Sequence, residues 1–234
     1  FNGAQLIIKG AALTGAFPVP ADIVANAATT LATLRAKFAT EIVCNACNGL
    51  HAQRSAAVRI ENLLFSGPGA YSGVISGDSI NAALGDDEFM GAGQVTTKNC
   101  WVHGFSMGWW VRQVSNGAFQ NLGASHNTSH GITINNGAYL VGLNLQTHRN
   151  GGHGAYARDD AAGEITGLAS TNNATDGVAC GERGRFNIVG DGANKNSITN
   201  NGGWGGRANI NSELSISQMT VTGNTAGCVF AGQG

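Results

Sequence analysis

The chain has 234 residues, a formal net charge of -1, 36 glycines and 12% charged residues. Glycine is roughly double and charge about half of its usual share; the balance excludes a disordered chain, which needs high net charge and few apolar residues. No Lys/Arg-rich run serves nucleic acid or an anionic membrane surface, and no apolar run approaches the ~18 residues of a spanning helix, so neither partner is expected. The length suits one large, turn-rich, all-β domain, and the start at Phe1 reads as a fragment or processed product of something longer.

From the N terminus, residues 1–40 read as a strand and a capping helix. Residues 22–38, DIVANAATTLATLRAKF, hold no Gly or Pro, and Asp22 is placed to cap a helix that covers the open end of the domain beginning at residue 41. Of the five cysteines, Cys44 and Cys47 have CxxC spacing without the second pair or His residues a zinc site needs. Cys100, Cys180 and Cys228 read as small buried apolar residues. No metal or cofactor is expected.

From residue 41 onward a repeat takes over. Gly131, Gly154 and Gly177 stand 23 residues apart, and the register extends to Gly49, Gly73, Gly108, Gly205 and Gly227. Four residues before these come Gly69, Gly104, Asn127, Asn150, Asn173, Asn201 and Gly223, which tolerate positive φ and so specify a turn. Nine before come Leu64, Leu122, Leu145 and Leu168, one apolar column. One and three after come Trp109/Val111, Ile132/Ile134, Ala155/Ala157, Val178/Cys180 and Cys228/Phe230, the alternation of a strand with one face inward. Residues 79–95 and 194–203 fill the two longest intervals and read as loops. A strand, a turn and a further strand per repeat describe a single-stranded parallel β-helix of about eight coils over 41–234, with like residues stacked ~4.8 Å apart. The leucine-rich-repeat signature is missing, and a propeller needs longer blades and tandem hairpins.

Stacking brings distant residues side by side. Just before the repeating Gly lie Met107, His130, His153, Asp176 and Trp204; four earlier lie His103, His126, Arg149, Asn172 and Asn200. These columns would form a His-rich strip for sugar hydroxyls or acid-base work, or a solvated turn in which His only satisfies local hydrogen bonds. Two after the Gly, the outward column reads His51, Ile75, Trp110, Thr133, Tyr156 and Ala179. Trp110 and Tyr156, with Arg112 and Arg158 beside them, suit the apolar face and hydroxyls of a sugar, or burial against another chain. Asp159 and Glu182 fall one coil apart at about 5 Å, near the separation of a retaining glycosidase; they are the best catalytic pair, with Arg158 and Arg183 close enough to neutralise them. Asp86, Asp87 and Glu88 are a weaker acidic group.

The units IENLLFSGPG, HNTSHGITI, NGGHGAYARDD and NNATDGVAC resemble the right-handed parallel β-helices of bacteriophage tailspikes and tail fibres, within the pectate-lyase-like superfamily. The resemblance covers about residues 41–234 and is specific to the fold rather than to an activity. It implies a homotrimer, extracellular in a virion tail, attached through upstream tail proteins, that binds or cuts host surface polysaccharide. The chain departs from the lyases in having no clear run of Asp calcium ligands near an Arg/Lys base, so no catalytic residue transfers by identity. Three functions stand as expectations: a receptor-binding tail protein, a polysaccharide-degrading lyase or hydrolase, and a structural rod or adhesin without a site.

Overall fold

A computed structural model describes residues 5–52, 57–76, 94–190, 196–209 and 211–232. Its strands pair in parallel into two sheets. One holds eight short strands, from Leu50–Ala52 to Gly227–Ala231. The other also has eight rungs, typified by Gln94–His103, Asn116–Ser125, Tyr139–His148 and Ala162–Thr171; it counts eleven strands because three rungs are each split in two. The chain alternates long rung and short strand. The fold is thus the parallel β-helix of eight coils that the repeat implied.

The repeating glycine has a steric cause. A Cβ on Gly108 would lie 2.4 Å from the Gly131 carbonyl oxygen, one on Gly131 2.8 Å from that of Gly154, and one on Gly154 2.5 Å from that of Gly177. Each coil therefore presses its backbone onto the next at this corner, where no side chain fits. The column ends at Cys228, one residue past Gly227, because Gly206 pairs with Val229. Val229 and Ala231 accordingly continue the columns of Gly206 and Ala208, and on this last coil they are exposed, as is Cys228. Trp109, Ile132, Ala155 and Val178 point inward as expected, into one core with Phe65, Leu122, Leu145, Leu168 and Ile188. Leu63, not Leu64, stands in the leucine column, opposite Cys100.

The corners are set by residues of positive φ. Within the long rungs, Asn62, Asn99, Asn121, Asn144 and Gly167 turn the strand. Their amides form a ladder: Asn99, Asn121 and Asn144 each donate Nδ2 to the Oδ1 of the preceding coil at 2.8–3.0 Å. At the corner before the short strands, positive φ falls on Gly69, Gly104 and Gly223 as expected, but elsewhere on His126, Arg149, Asn172 and Asn200, one residue ahead of the expected asparagines. Asn127, Asn150, Asn173 and Asn201 are instead buried, and each Nδ2 donates to the next Oδ1, ending on Asn224, at 2.8–3.0 Å. Buried amides are costly unless paired, so a continuous ladder is the arrangement that satisfies them.

Gln5–Lys9 pairs with Ala57–Glu61 and Glu41–Val43 with Leu64–Ser66, so the two strands are halves of the first rung. Residues 10–40 are an insertion within that rung. Its helix, Ala27–Lys37, is capped by Asn26, whose Oδ1 accepts the Thr29 N–H at 2.9 Å; Asp22 ends a short 3-10 turn and pairs with Lys37. Ile23, Leu34 and Phe38 sit on Leu64 and Trp101, on the outer flank of the long-strand sheet. Each large side chain sealed there contributes about 1.5–3 kcal/mol. Of the two expected loops, Gln94 and Val95 already belong to a strand, and Ser197–Thr199 pairs with Ala169–Thr171. Asp86, Asp87 and Glu88 lie outside the described residues.

Candidate functional site: the outer face of the short strands

The short strands place Trp110, Thr133, Tyr156, Ala179 and Arg207 in one outward column, because Trp110 pairs with Thr133, Thr133 with Tyr156, Tyr156 with Ala179 and Ala179 with Arg207. Just before them, His130, His153 and Asp176 stack as the register requires. The two imidazoles are stacked, 5.0 Å apart and 7° from parallel, and the Tyr156 ring stands 5.2 Å from the first and 5.0 Å from the second. His130 Nδ1 accepts the His153 N–H at 2.9 Å, and His153 Nδ1 accepts the Asp176 N–H at 3.3 Å. Asp176 Oδ1 accepts the Trp204 N–H at 2.7 Å. Each side chain thus caps the amide of the coil after it, and the local hydrogen-bonding role coexists with an exposed ring surface.

Asp176 is 2% exposed. Its Oδ2 lies 3.3 Å from both His153 Nδ1 and Arg207 Nε, without an aligned hydrogen bond to either. Burial raises its carboxyl, but His153, the Trp204 amide and Arg207 outweigh that and hold it below the usual carboxylate range. Burial, then the charges of His153 and Arg158, push His130 down to about 4, so its ring is neutral at pH 7. Burial raises the Tyr156 phenol, with Arg158 and Arg207 opposing and Glu182 and Asp159 reinforcing; the ring keeps its hydroxyl proton. Gly181 makes room for that hydroxyl, since a Cβ there would sit 3.0 Å away. Arg158 lies beside Asp159 at 3.3 Å.

Asp159 and Glu182 are brought together as expected, at a turn where both have positive φ. A side-chain hydrogen bond to Asp159, and then its charge, raise the Glu182 carboxyl. Glu182 is exposed, however, and Arg183 closes a two-pronged pair with the adjacent Asp160 at 2.7 and 2.8 Å. Of the pair, Glu182 is exposed and Asp159 half-buried.

His126 and Arg149 belong to another surface. His126 Nε2 lies 3.3 Å from the Ala25 carbonyl and Arg149 Nε donates to the Ile23 carbonyl at 3.0 Å, so the insertion covers them. His103 also leaves their column: it pairs with Ser125, one residue earlier. Arg207 was missed as a site residue by sequence reasoning, although it follows Gly205 by the same offset as Tyr156 follows Gly154. Among the described residues, no group of three or more His, Cys, Asp or Glu is arranged to hold a metal.

A shallow groove of about 330 Å³ lies elsewhere, on the long-strand sheet between Arg59, Lys98, Phe119, Val141 and Leu143. Arg59 and Glu61 there are spent on each other, whereas the short-strand face presents rings and unfilled polar groups. A family model described as a right-handed β-helix region matches residues 88–234. No curated protein and no solved structure gives a significant match.

Proposed function

The chain belongs to the right-handed β-helix family, and from that premise we propose that it binds a polysaccharide along the outer face of its short strands. One observation carries this reading: the half-buried Tyr156 ring, braced by the stacked His130 and His153 and flanked by Arg158, Arg207 and the nearly buried Asp176. A ring offers a platform for the C–H face of a sugar, and the charged groups around it suit hydroxyls. Binding is favoured over cleavage because Glu182 of the carboxylate pair is exposed, and Arg158 and Arg183 stand against Asp159 and the adjacent Asp160.

The finer proposal is a receptor-binding role in a virion tail, extracellular, with the chain as a homotrimer joined to upstream tail proteins and host surface polysaccharide as its target. It rests on the resemblance of the coil units to tailspike coils. Sedimentation of the purified chain tests the oligomer: three times the monomer mass supports the proposal, monomer mass overturns that part. Incubation with bacterial surface polysaccharides, reading both retention and new reducing or unsaturated ends, tests the function. Retention that Tyr156→Ala abolishes, without new ends, is expected. New ends that Glu182→Gln abolishes would favour a depolymerase, and no retention by any polymer would leave the rod without a site.

A further inference from the structure

The arginines of the short-strand face are already matched. Arg158 Nε lies 3.3 Å from Asp159 Oδ2, Arg207 Nε lies 3.3 Å from Asp176 Oδ2, and Arg183 holds Asp160 through hydrogen bonds of 2.7 and 2.8 Å. Arg207 is held by Asn209 as well, whose amide oxygen, turned to the guanidinium, accepts from Nε at 3.0 Å and from Nη2 at 3.2 Å. Arg112 is 6% exposed, with its guanidinium 4.4 Å from the centroid of the Trp110 ring. Glu182 bonds Asp159 rather than an arginine, so the charge left over around Tyr156 is a carboxylate.

An anionic polymer binds by pairing with cations, and here it would first have to displace a carboxylate already in place. An uncharged sugar meets a different surface. A guanidinium beside a carboxylate presents donors and acceptors side by side, and every sugar hydroxyl is both. Asp176 makes the contrast sharpest. It is 2% exposed and its Oδ2 has no aligned hydrogen bond, so what it lacks is a donor. A hydroxyl seated beside the Arg207 guanidinium can supply one. A ligand carboxylate or sulfate has no proton to give, and would set like charges together where water screens them poorly.

We propose that this face takes an uncharged polysaccharide, with the arginine–carboxylate pairs as readers of its hydroxyls and the Tyr156 ring as its platform. The inference rests on the proposed glycan binding and adds the charge class of the ligand. Because the ligand carries no charge, salt has little in the contact to screen.

The test is retention of the unaltered protein in affinity gels cast with uncharged polymers (glucan, mannan and galactan) and with acidic ones (polygalacturonate, alginate and dextran sulfate). The tightest binder should be uncharged, at least about tenfold ahead of any acidic polymer. Its affinity should change less than about twofold between about 0.05 and 0.5 M salt, over which the screening length falls from about 14 to about 4 Å. Asp176→Asn keeps the oxygen that caps the Trp204 N–H and removes the charge against Arg207. With a melting temperature that shows the coils intact, it should hold acidic polymers at least about threefold more tightly than the unaltered protein, and lose that gain in high salt. If the variant melts early, the polymer and salt comparisons decide alone. An acidic polymer as tightest binder, retention that collapses with salt, or a folded Asp176→Asn chain without the gain overturns this inference while leaving glycan binding in place. Failure of every polymer of either class to bind overturns both.

Discussion

Replacing Gly154 by Ala tests the register on which both the core and the outer face depend. The added Cβ would meet Ser170 Oγ at 2.1 Å, the Gly177 carbonyl at 2.5 Å and Thr147 Oγ1 at 2.6 Å. Ordinary contact begins near 3.4 Å, so coils must part by about 0.9 Å at the carbonyl, 3.4 less 2.5. The carbonyl is backbone and cannot swing aside, and moving either hydroxyl costs a hydrogen bond. The two hydroxyls are hydrogen-bonded to each other at 3.0 Å, and the Gly177 carbonyl accepts the Ala155 N–H at 3.1 Å and the Ser170 hydroxyl at 2.8 Å. Overpacking against fixed atoms costs about 3 kcal/mol, the upper end of its usual span. For a chain of this size that lowers the melting temperature by roughly 6–12 °C. Gly15→Ala is the control: its φ is +84°, but nothing lies within 4 Å, so only the backbone strain of about 1 kcal/mol applies. Thermal unfolding followed by circular dichroism reads both. A Gly154→Ala chain melting within a degree of the unaltered protein would refute the stacking argument.

Asn150→Ala removes a buried amide that accepts from Asn127 and donates to Asn173, leaving both neighbours short of a partner; a loss of about 2–4 kcal/mol is expected in urea unfolding. Acid should destabilise the chain through its buried histidines. Burial, with nearby cationic groups, holds His148 at about 3 and His103 and His130 at about 4, against an ordinary 6.5. The unfolded chain takes up protons that the folded chain refuses, so this stability is complete above pH 6.5 and drains away as the pH falls towards 4. At most His103 and His130 account for about 3 kcal/mol each and His148 for about 5 kcal/mol, and urea midpoints unchanged between pH 7 and pH 4.5 would contradict the shifts. Asp159→Asn and Glu182→Gln should each leave polysaccharide retention within about twofold of the unaltered protein, well under 1 kcal/mol; a tenfold loss in an affinity gel would move the site to that edge.

The coil was legible because the glycine column answers one steric demand that recurs unchanged: Gly131, Gly154 and Gly177 meet the same carbonyl at the same corner. His130, His153 and Asp176 could be placed side by side for that reason. Counting residues failed where turn length changed. The turn after His103 is one residue shorter than the turn after Ser125, which shifted His103 out of the column of His126. The path of residues 10–40 was not legible, because Gln5–Lys9 finds its partner at Ala57–Glu61 and the insertion is placed by contacts with Trp101, Gln146 and Arg149 far along the chain. Local pattern gave the helix; its docking, which covers His126 and Arg149, is a tertiary matter. The asparagines were recognised as turn residues, yet at Asn127, Asn150 and Asn173 it is the side-chain amides, not the backbone angles, that join the coils.

Hydroxyl-radical footprinting with and without bound polysaccharide tests the location of the site most directly, since Tyr139 on the long-strand sheet, 37% exposed, serves as an internal reference for Tyr156. Oxidation of Tyr156, Trp110 and Trp204 should fall on binding while that of Tyr139 holds steady. Protection of Tyr139 with Tyr156 oxidised at its free rate would place the ligand on the other sheet and contradict the account.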